Sequence, residues 1–239
     1  MNLSEKVALV TGANRGLGAR LVDELLTGGV AKVYATARDV QSIAADVAAH
    51  PRVEVLGLDV TSPESVAAAA RTASDVSVLV NNAGVLSFGS ALEGDLEGFE
   101  RDLATNYFGV LRTTRAFVPV LERNAPATIV NVLTLIALAP VSPMAGYSAS
   151  KAAGHSLTQA LRAELRPRDI SVLGAYPGGI DTDMLAGVEA DKADPALVAR
   201  RIVQALAADE TLVFPDDASA GAGSVYLTDP VALERMLAS

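Results

Sequence analysis

The sequence contains no cysteine and only two histidines, His50 and His155. The first absence excludes a disulfide framework and a thiolate zinc site. The second excludes a His-rich metal centre. Basic residues are also in deficit. Lys and Arg number 19 against 28 Asp and Glu, a formal charge of −9. An acidic chain is a poor match for nucleic acid or an anionic membrane. No apolar run reaches the roughly 18 residues that a membrane-spanning helix needs. The opening Met1-Asn2-Leu3-Ser4-Glu5-Lys6 lacks the basic region and apolar stretch of a secretory signal. The expectation is a soluble, cytoplasmic protein with neither nucleic acid nor membrane as partner.

What is present is apolar and periodic. Half of the 239 residues are hydrophobic. A chain of this length buries roughly 70% or more of its unfolded surface, so it needs no cross-link to hold a core. Val7 to Val10 is a short apolar run ending at Thr11-Gly12, the pattern of a strand buried on both faces. Leu17, Leu21, Val22, Leu25 and Leu26 then recur at helical spacing until Gly28-Gly29 stops them. Lys32 to Thr36, Val53 to Leu58, and Val76 to Val80 read as the next strands. Thr61 and Glu64 form a capping-box pattern before an Ala-rich helix. A long helix is expected over Leu96 to Arg123, a strand over Thr128 to Val132, and a helix over Gly146 to Leu165 stopped by Pro167. Ile170 to Ala175 is a strand, Pro195 to Ala207 a helix, and Thr211 to Phe214 a short last strand. This alternation predicts an α/β fold of Rossmann type: a doubly wound parallel sheet with helices on both faces. With no repeat, linker or shift in composition, residues 1–239 read as one domain.

Thr11-Gly12-Ala13-Asn14-Arg15-Gly16-Leu17-Gly18 joins the first strand to the first helix. Gly12 permits the tight turn, Gly16 the approach of a pyrophosphate to the backbone, and Gly18 close packing of helix on sheet. The free amides of the helix N-terminus complete an anion site. The plainer alternative is a glycine-rich turn without a ligand, but the placement between a strand and an amphipathic helix favours a dinucleotide. An acid at the end of the second strand would accept from the ribose 2′-OH of NAD. Here that end reads Tyr34-Ala35-Thr36-Ala37-Arg38. Arg38, with Arg15 in the glycine loop, instead suits a 2′-phosphate, and NADP(H) is the expected cofactor.

Tyr147 and Lys151 lie four residues apart and so share one helix face. A phenol is a poor acid or base near neutral pH, and an ammonium beside it favours the phenolate. A phenol tuned in this way can protonate an alkoxide as it forms from a carbonyl. In isolation the pair would be an ordinary exposed one. It is not isolated. Thr11-Gly12-x-x-x-Gly16-x-Gly18, Asp59-Val60, Asn81-Asn82-Ala83-Gly84, Asn106, Asn131-Val132-x-Thr134, Tyr147-x-x-x-Lys151, and Pro177-Gly178 with Thr182 follow in order along nearly the whole chain. The set resembles the short-chain dehydrogenase/reductase family, in its Tyr-x-x-x-Lys branch.

That resemblance implies roles. Tyr147 is the general acid/base. Lys151 lowers its pKa and holds the nicotinamide ribose, and Asn106 anchors a water of a proton relay. Asp59 and Val60 touch adenine. Asn81, Asn82, Ala83 and Gly84 lie by the adenine ribose and the sheet centre. Ile180 and Thr182, after Pro177-Gly178, hold the carboxamide. The family usually has Ser thirteen residues before the Tyr, where this chain has Thr134. Its hydroxyl can still donate to a carbonyl oxygen, although the extra methyl narrows the pocket.

The chain end, Leu212 to Asp217 followed by a Gly/Ala/Ser stretch and a short final helix, departs from the strand and Gly-rich close of many relatives. In those relatives the tail contributes to a tetramer interface. Helices around Leu103 to Leu121 and Tyr147 to Leu165 are apolar on more than one face, which suits a homodimer or homotetramer.

Three loops should line the substrate pocket with Leu86, Phe88, Ile136, Leu138, Val141, Met144, Met184, Leu185 and Val188. Lys192 is the sole cation in them. A neutral, apolar ketone or aldehyde, or its alcohol, is the expected partner of an NADPH-dependent carbonyl reductase. Two other readings share the fold: a non-catalytic NADP sensor, and an isomerase or lyase that consumes no NADPH. His155 is read as a packing or interface residue and His50 as a loop residue.

Overall fold

The computed structural model of the chain describes residues 1–237. Seven strands form one sheet: β1 (Val7–Val10), β2 (Lys32–Ala37), β3 (Val53–Gly57), β4 (Val78–Asn81), β5 (Ala127–Val132), β6 (Ile170–Ala175) and β7 (Leu212–Val213). Their order is β3-β2-β1-β4-β5-β6-β7 and every pairing is parallel. Leu9 sits between Tyr34 of β2 and Leu79 of β4, and this register fixes the centre of the sheet.

The continuous apolar runs are explained by two cores, one on each face. Ala8, Val10, Val78, Val80, Val130 and Val132 point to one face. There they meet Leu21, Val22 and Leu25 of α1 (Gly16–Thr27) and Val198 and Ile202 of α7 (Pro195–Ala207). Leu9, Leu79, Ile129 and Val172 point to the other. There they meet Val66 and Ala69 of α3 (Pro63–Thr72), Phe117 and Leu121 of α5 (Val110–Arg123), and Leu161 and Leu165 of α6 (Ala145–Leu165). Alternate residues of each strand thus serve opposite cores. The short α2 (Ala45–Ala48) lies before β3. No helix among the described residues is long and apolar enough to cross a membrane.

Three sequence expectations change. The long helix over Leu96 to Arg123 is interrupted: α4 (Leu96–Leu103) passes through a π-helical turn, Ala104–Gly109, into α5. The extra residue of such a turn re-aims the side chains it carries, here Asn106. The cap of α3 is Ser62, which accepts from the Ser65 amide, with Pro63 in the first turn. Thr61 is occupied instead by Asp59, whose Oδ1 accepts its amide at 2.8 Å and its hydroxyl at 2.7 Å. The Gly/Ala/Ser stretch is itself a helix, α8 (Asp217–Thr228), followed by α9 (Pro230–Leu237). Asp216 and Ser219 form a capping box that starts α8. The two helices pack Ala222 and Leu233 against Leu135 and Ala139 beyond β5.

Candidate active site

Chain order reverses between β1 and β4, and in open α/β sheets ligands bind beyond the strand ends at that point. A cleft of about 710 Å³ opens there. Its first wall is the glycine loop. Thr11 Oγ1 donates to the Val80 carbonyl and accepts the amides of Asn82 and Ala83, each at 2.9 Å. Asn82 Nδ2 returns bonds to the carbonyls of Thr11 (2.9 Å) and Gly12 (3.1 Å). Gly12 has φ +67°, and a Cβ on it would stand 3.0 Å from Ala83 Cα. A Cβ on Gly18 would stand 2.0 Å from the Gly12 carbonyl oxygen. The loop therefore presents bare backbone. No side chain caps α1 at Arg15, so its first-turn amides face the cleft. This cradle fits a pyrophosphate.

Arg15 pairs with Asp183 across the cleft at 3.3 Å, both exposed. Gly16 faces the Thr182 methyl. Arg38 is exposed just past β2, and its charge acts on Asp59. The Thr61 hydroxyl, then the Thr61 amide, Arg38 and Arg112, hold the Asp59 carboxyl below its usual range against the opposing effect of burial.

The second wall is the start of α6. Tyr147 and Lys151 are 8% and 5% exposed. Lys151 Nζ donates to the Val132 carbonyl at 2.9 Å and lies 5.8 Å from the centre of the Tyr147 ring. Burial pulls Lys151 down to about 8, opposed by the Asp102 carboxylate. Burial pushes the Tyr147 phenol well above its ordinary value, and Asp102 adds to that. The balance at the phenol thus runs opposite to the sequence expectation of a lowered pKa. Desolvation dominates, and the lysine is directed at a backbone carbonyl.

The candidate cofactor residues and all but two of the candidate pocket residues border this one cleft, from Gly12, Asn14, Arg15, Gly16, Leu17 and Gly18 to Leu86, Ile136, Val141, Met144 and Met184. Arg38, Asp59, Val60, Asn82, Ala83, Gly84, Thr134, Pro177, Gly178, Ile180 and Thr182 are among them, as are Leu185, Val188 and Lys192. Lys192 is tied to the Leu185 carbonyl at 2.9 Å. Phe88 and Leu138 fall outside the cleft. Phe88 is half exposed, and Leu138 packs with the C-terminal helices. Thr134 Oγ1 is turned to the Pro177 carbonyl at 3.3 Å.

Asn106 lies behind the wall, where a Cβ on Gly84 would meet its Oδ1 at 3.1 Å and Lys151 Nζ at 3.6 Å. Its Oδ1 accepts the Val85 amide, and its Nδ2 donates to the Val85 carbonyl and to Ser150 Oγ. Both amide hydrogens are therefore used by protein, which leaves only a second lone pair on Oδ1 for water. His155 meets the Tyr176 hydroxyl at 2.6 Å, and His50 accepts the Arg52 amide. Both serve packing and loop structure.

Sequence reasoning missed two buried carboxyls. Asp216 accepts the Gly178 amide at 2.9 Å while capping α8. The spacing of Asp216 and Ser219 was the available signal. Asp102 binds Ser87, and its signal was its position one turn before Asn106.

A family model for short chain dehydrogenases matches residues 6–193. A 3-alpha-(or 20-beta)-hydroxysteroid dehydrogenase of Mycobacterium bovis is 32% identical over 232 residues, which cover 94% of this chain and 88% of that protein. An uncharacterized oxidoreductase of Staphylococcus saprophyticus is 33% identical over 219 residues, covering 86% of this chain and 93% of the relative. A short chain dehydrogenase of Burkholderia cenocepacia, solved in complex with NADP, superposes with a TM-score of 0.93. It is 38% identical, and each chain is covered in full. With its parallel sheet, glycine loop and family match, the chain belongs to the short-chain dehydrogenase/reductase family of oxidoreductases.

Proposed function

We propose that the chain, acting as one domain over residues 1–239, is an NADPH-dependent reductase of neutral, largely apolar ketones or aldehydes, reversible to the alcohol. The observation that carries this reading is the convergence on one cleft of the glycine loop, with Arg15 and Arg38, and the buried Tyr147 and Lys151. The glycine loop and the α1 amides would hold a pyrophosphate, and Arg15 and Arg38 a 2′-phosphate. Asp59, Val60, Asn82, Ala83 and Gly84 would hold the adenosine end, and Lys151, Ile180 and Thr182 the nicotinamide end. When bound, the nicotinamide supplies hydride.

The chain itself handles the proton. Burial keeps the Tyr147 phenol protonated, so it donates to the carbonyl oxygen as negative charge develops there. Thr134 Oγ1 is the second donor, on turning from the Pro177 carbonyl. Lys151, at about 8, is able to return a proton to the phenolate near neutral pH. The apolar side chains Leu86, Ile136, Val141 and Met144, and a lysine already tied to backbone, favour a neutral substrate. The NADP complex of the Burkholderia protein and the hydroxysteroid dehydrogenase name of the mycobacterial one support cofactor and substrate class.

The test is NADPH consumption over a panel of neutral ketones and aldehydes, with Tyr147→Phe in parallel. Expected is turnover that falls about 10³-fold in the variant while NADPH affinity holds. Tight NADPH binding without consumption would favour a nucleotide sensor. Turnover unchanged in Tyr147→Phe would remove the phenol from the mechanism.

A further inference from the structure

Asp102 is 0% exposed, yet it is an acid, and its carboxylate belongs to no step above. It sits in the last turn of α4, four residues before Asn106, and both side chains reach the loop after β4. Its Oδ2 accepts the Ser87 amide at 3.1 Å, and its Oδ1 lies 2.9 Å from Ser87 Oγ. Asn106, one turn on, holds Val85 by both amide and carbonyl. Two successive turns of one helix thus grip alternate residues of the loop after β4, whose Val85 and Leu86 line the cleft.

Holding a loop does not require a charge. An asparagine would accept the same amide without the cost of burying an anion. The charged and titratable groups acting on Asp102 are Arg101 from its own helix and Lys151 from α6, with Tyr147 of α6 acted on in turn. Arg101 spends a hydrogen bond on Ser87 Oγ at 2.9 Å. Beyond Arg101, the charge acts across the α4–α6 contact, where Phe99 of α4 packs on Gly146 beside Tyr147, and Asn106 and Lys151 meet at Gly84.

We propose that Asp102 is a positioning residue: one buried carboxylate that fixes the loop after β4 through Ser87 and supplies the negative charge facing Lys151 and Tyr147. The charge favours the protonated form of both groups. Removing it lowers the pH at which the pair sheds its protons, whichever member loses one first. The role in turnover rests on the reading of Tyr147 as proton donor, but the charge coupling does not.

The chain has four lysines, Lys6, Lys32, Lys151 and Lys192, so Lys151 can be followed alone by NMR of lysine labelled at the side-chain nitrogen, assigned with Lys151→Met. In Asp102→Asn the Lys151 midpoint is expected to fall by about one pH unit, with the other three lysines unmoved and Asp102→Glu restoring it. The alkaline limb of the reductase profile should move the same way. A folded Asp102→Asn with an unmoved Lys151 midpoint would overturn the proposal and leave Asp102 a loop clamp.

Should Asp102→Asn not fold, carboxyl titration of Asp102 in the wild type and in Lys151→Met decides. Asp102 is expected to ionise at higher pH once the lysine is gone, and no change overturns the coupling. None of these titrations needs turnover. Activity surviving in Tyr147→Phe would sink the proton-donor reading and leave them standing.

Discussion

The glycine-loop wall of the cleft is held by backbone and by residues of two neighbouring strands. Just past β1 and β4, the Thr11 hydroxyl accepts the Asn82 and Ala83 amides, the Asn82 side chain donates to the Thr11 and Gly12 carbonyls, and Gly18 packs on the Gly12 carbonyl. The α6 wall is held by side chains from far along the chain. Asn106 and Asp102 grip the loop after β4, and Asp216 grips Gly178. Phe99 of α4 fills the space where a Cβ on Gly146 would stand 2.2 Å away. The first wall tolerates little change because a Cβ on Gly18 would meet the Gly12 carbonyl oxygen and the short Thr11 and Asn82 side chains are bonded directly to its main chain. The second can be remodelled by exchanging distant side chains, which is how one fold comes to accept different substrates.

The largest expected effect breaks the first wall. In Gly18→Ala the new methyl meets a backbone carbonyl that cannot swing aside. Either the loop or α1 must move, and overpacking of this kind costs about 1–3 kcal/mol or more. Calorimetric NADPH affinity is expected to fall by more than 100-fold, with a lower melting temperature. Affinity within a few-fold of wild type would show that the cradle is more pliant than its contacts indicate.

Next is Thr134→Val on the second wall, which keeps shape and removes the hydroxyl. Loss of one preorganised donor to a developing oxyanion lowers kcat by about 10²-fold. Thr134→Ser should recover or exceed wild-type kcat, since the lost methyl frees the hydroxyl to leave the Pro177 carbonyl. A Val variant with unchanged kcat would assign Thr134 to loop packing alone.

This contrast also explains what could be read from sequence. The strands, the parallel doubly wound sheet and the glycine loop follow from patterns of a few residues: apolar runs ending in Thr11-Gly12, Asn81-Asn82 or Pro177-Gly178. The π turn at Ala104–Gly109 was hidden because its residues keep a helical pattern, and only the backbone insertion separates α4 from α5. α8 was hidden because Gly, Ala and Ser are weak signals, and its helix depends on the Asp216 cap and on packing at Leu135 and Ala139. The rise in the Tyr147 pKa was also out of reach. Sequence shows an ammonium four residues away, whereas burial of the phenol and the Val132 carbonyl on Lys151 are products of the folded chain.

A smaller effect separates cofactors within the first wall. Arg38→Gln removes an exposed guanidinium, which in solvent contributes modestly to fold stability. Toward a 2′-phosphate it would make a charge-assisted bond of about 1.5–3 kcal/mol. The KM for NADPH is expected to rise roughly tenfold with that for NADH unchanged. Arg15→Gln should do less, because Arg15 already shares its charge with Asp183. Equal losses with both cofactors would place the arginines on the pyrophosphate instead.

The smallest effect tests whether the second wall is held from a distance. Asp216 is almost fully buried and does two jobs, capping α8 through the Ser219 amide and accepting the Gly178 amide. In Asp216→Asn a single carbonyl oxygen remains to accept where two oxygens did, so one of the two amides loses its partner. A buried donor left unpaired costs about 1–3 kcal/mol. For a chain of this size each kcal/mol lowers the melting temperature by roughly 2–4 °C. The kinetic signature should be one-sided. The Gly178 loop leads into Ile180 and Thr182 at the proposed nicotinamide end of the cleft, so the KM for the ketone is expected to rise a few-fold while NADPH affinity, held mainly by the glycine loop, falls by less. A matching loss of NADPH affinity would mean that the two walls move as one body.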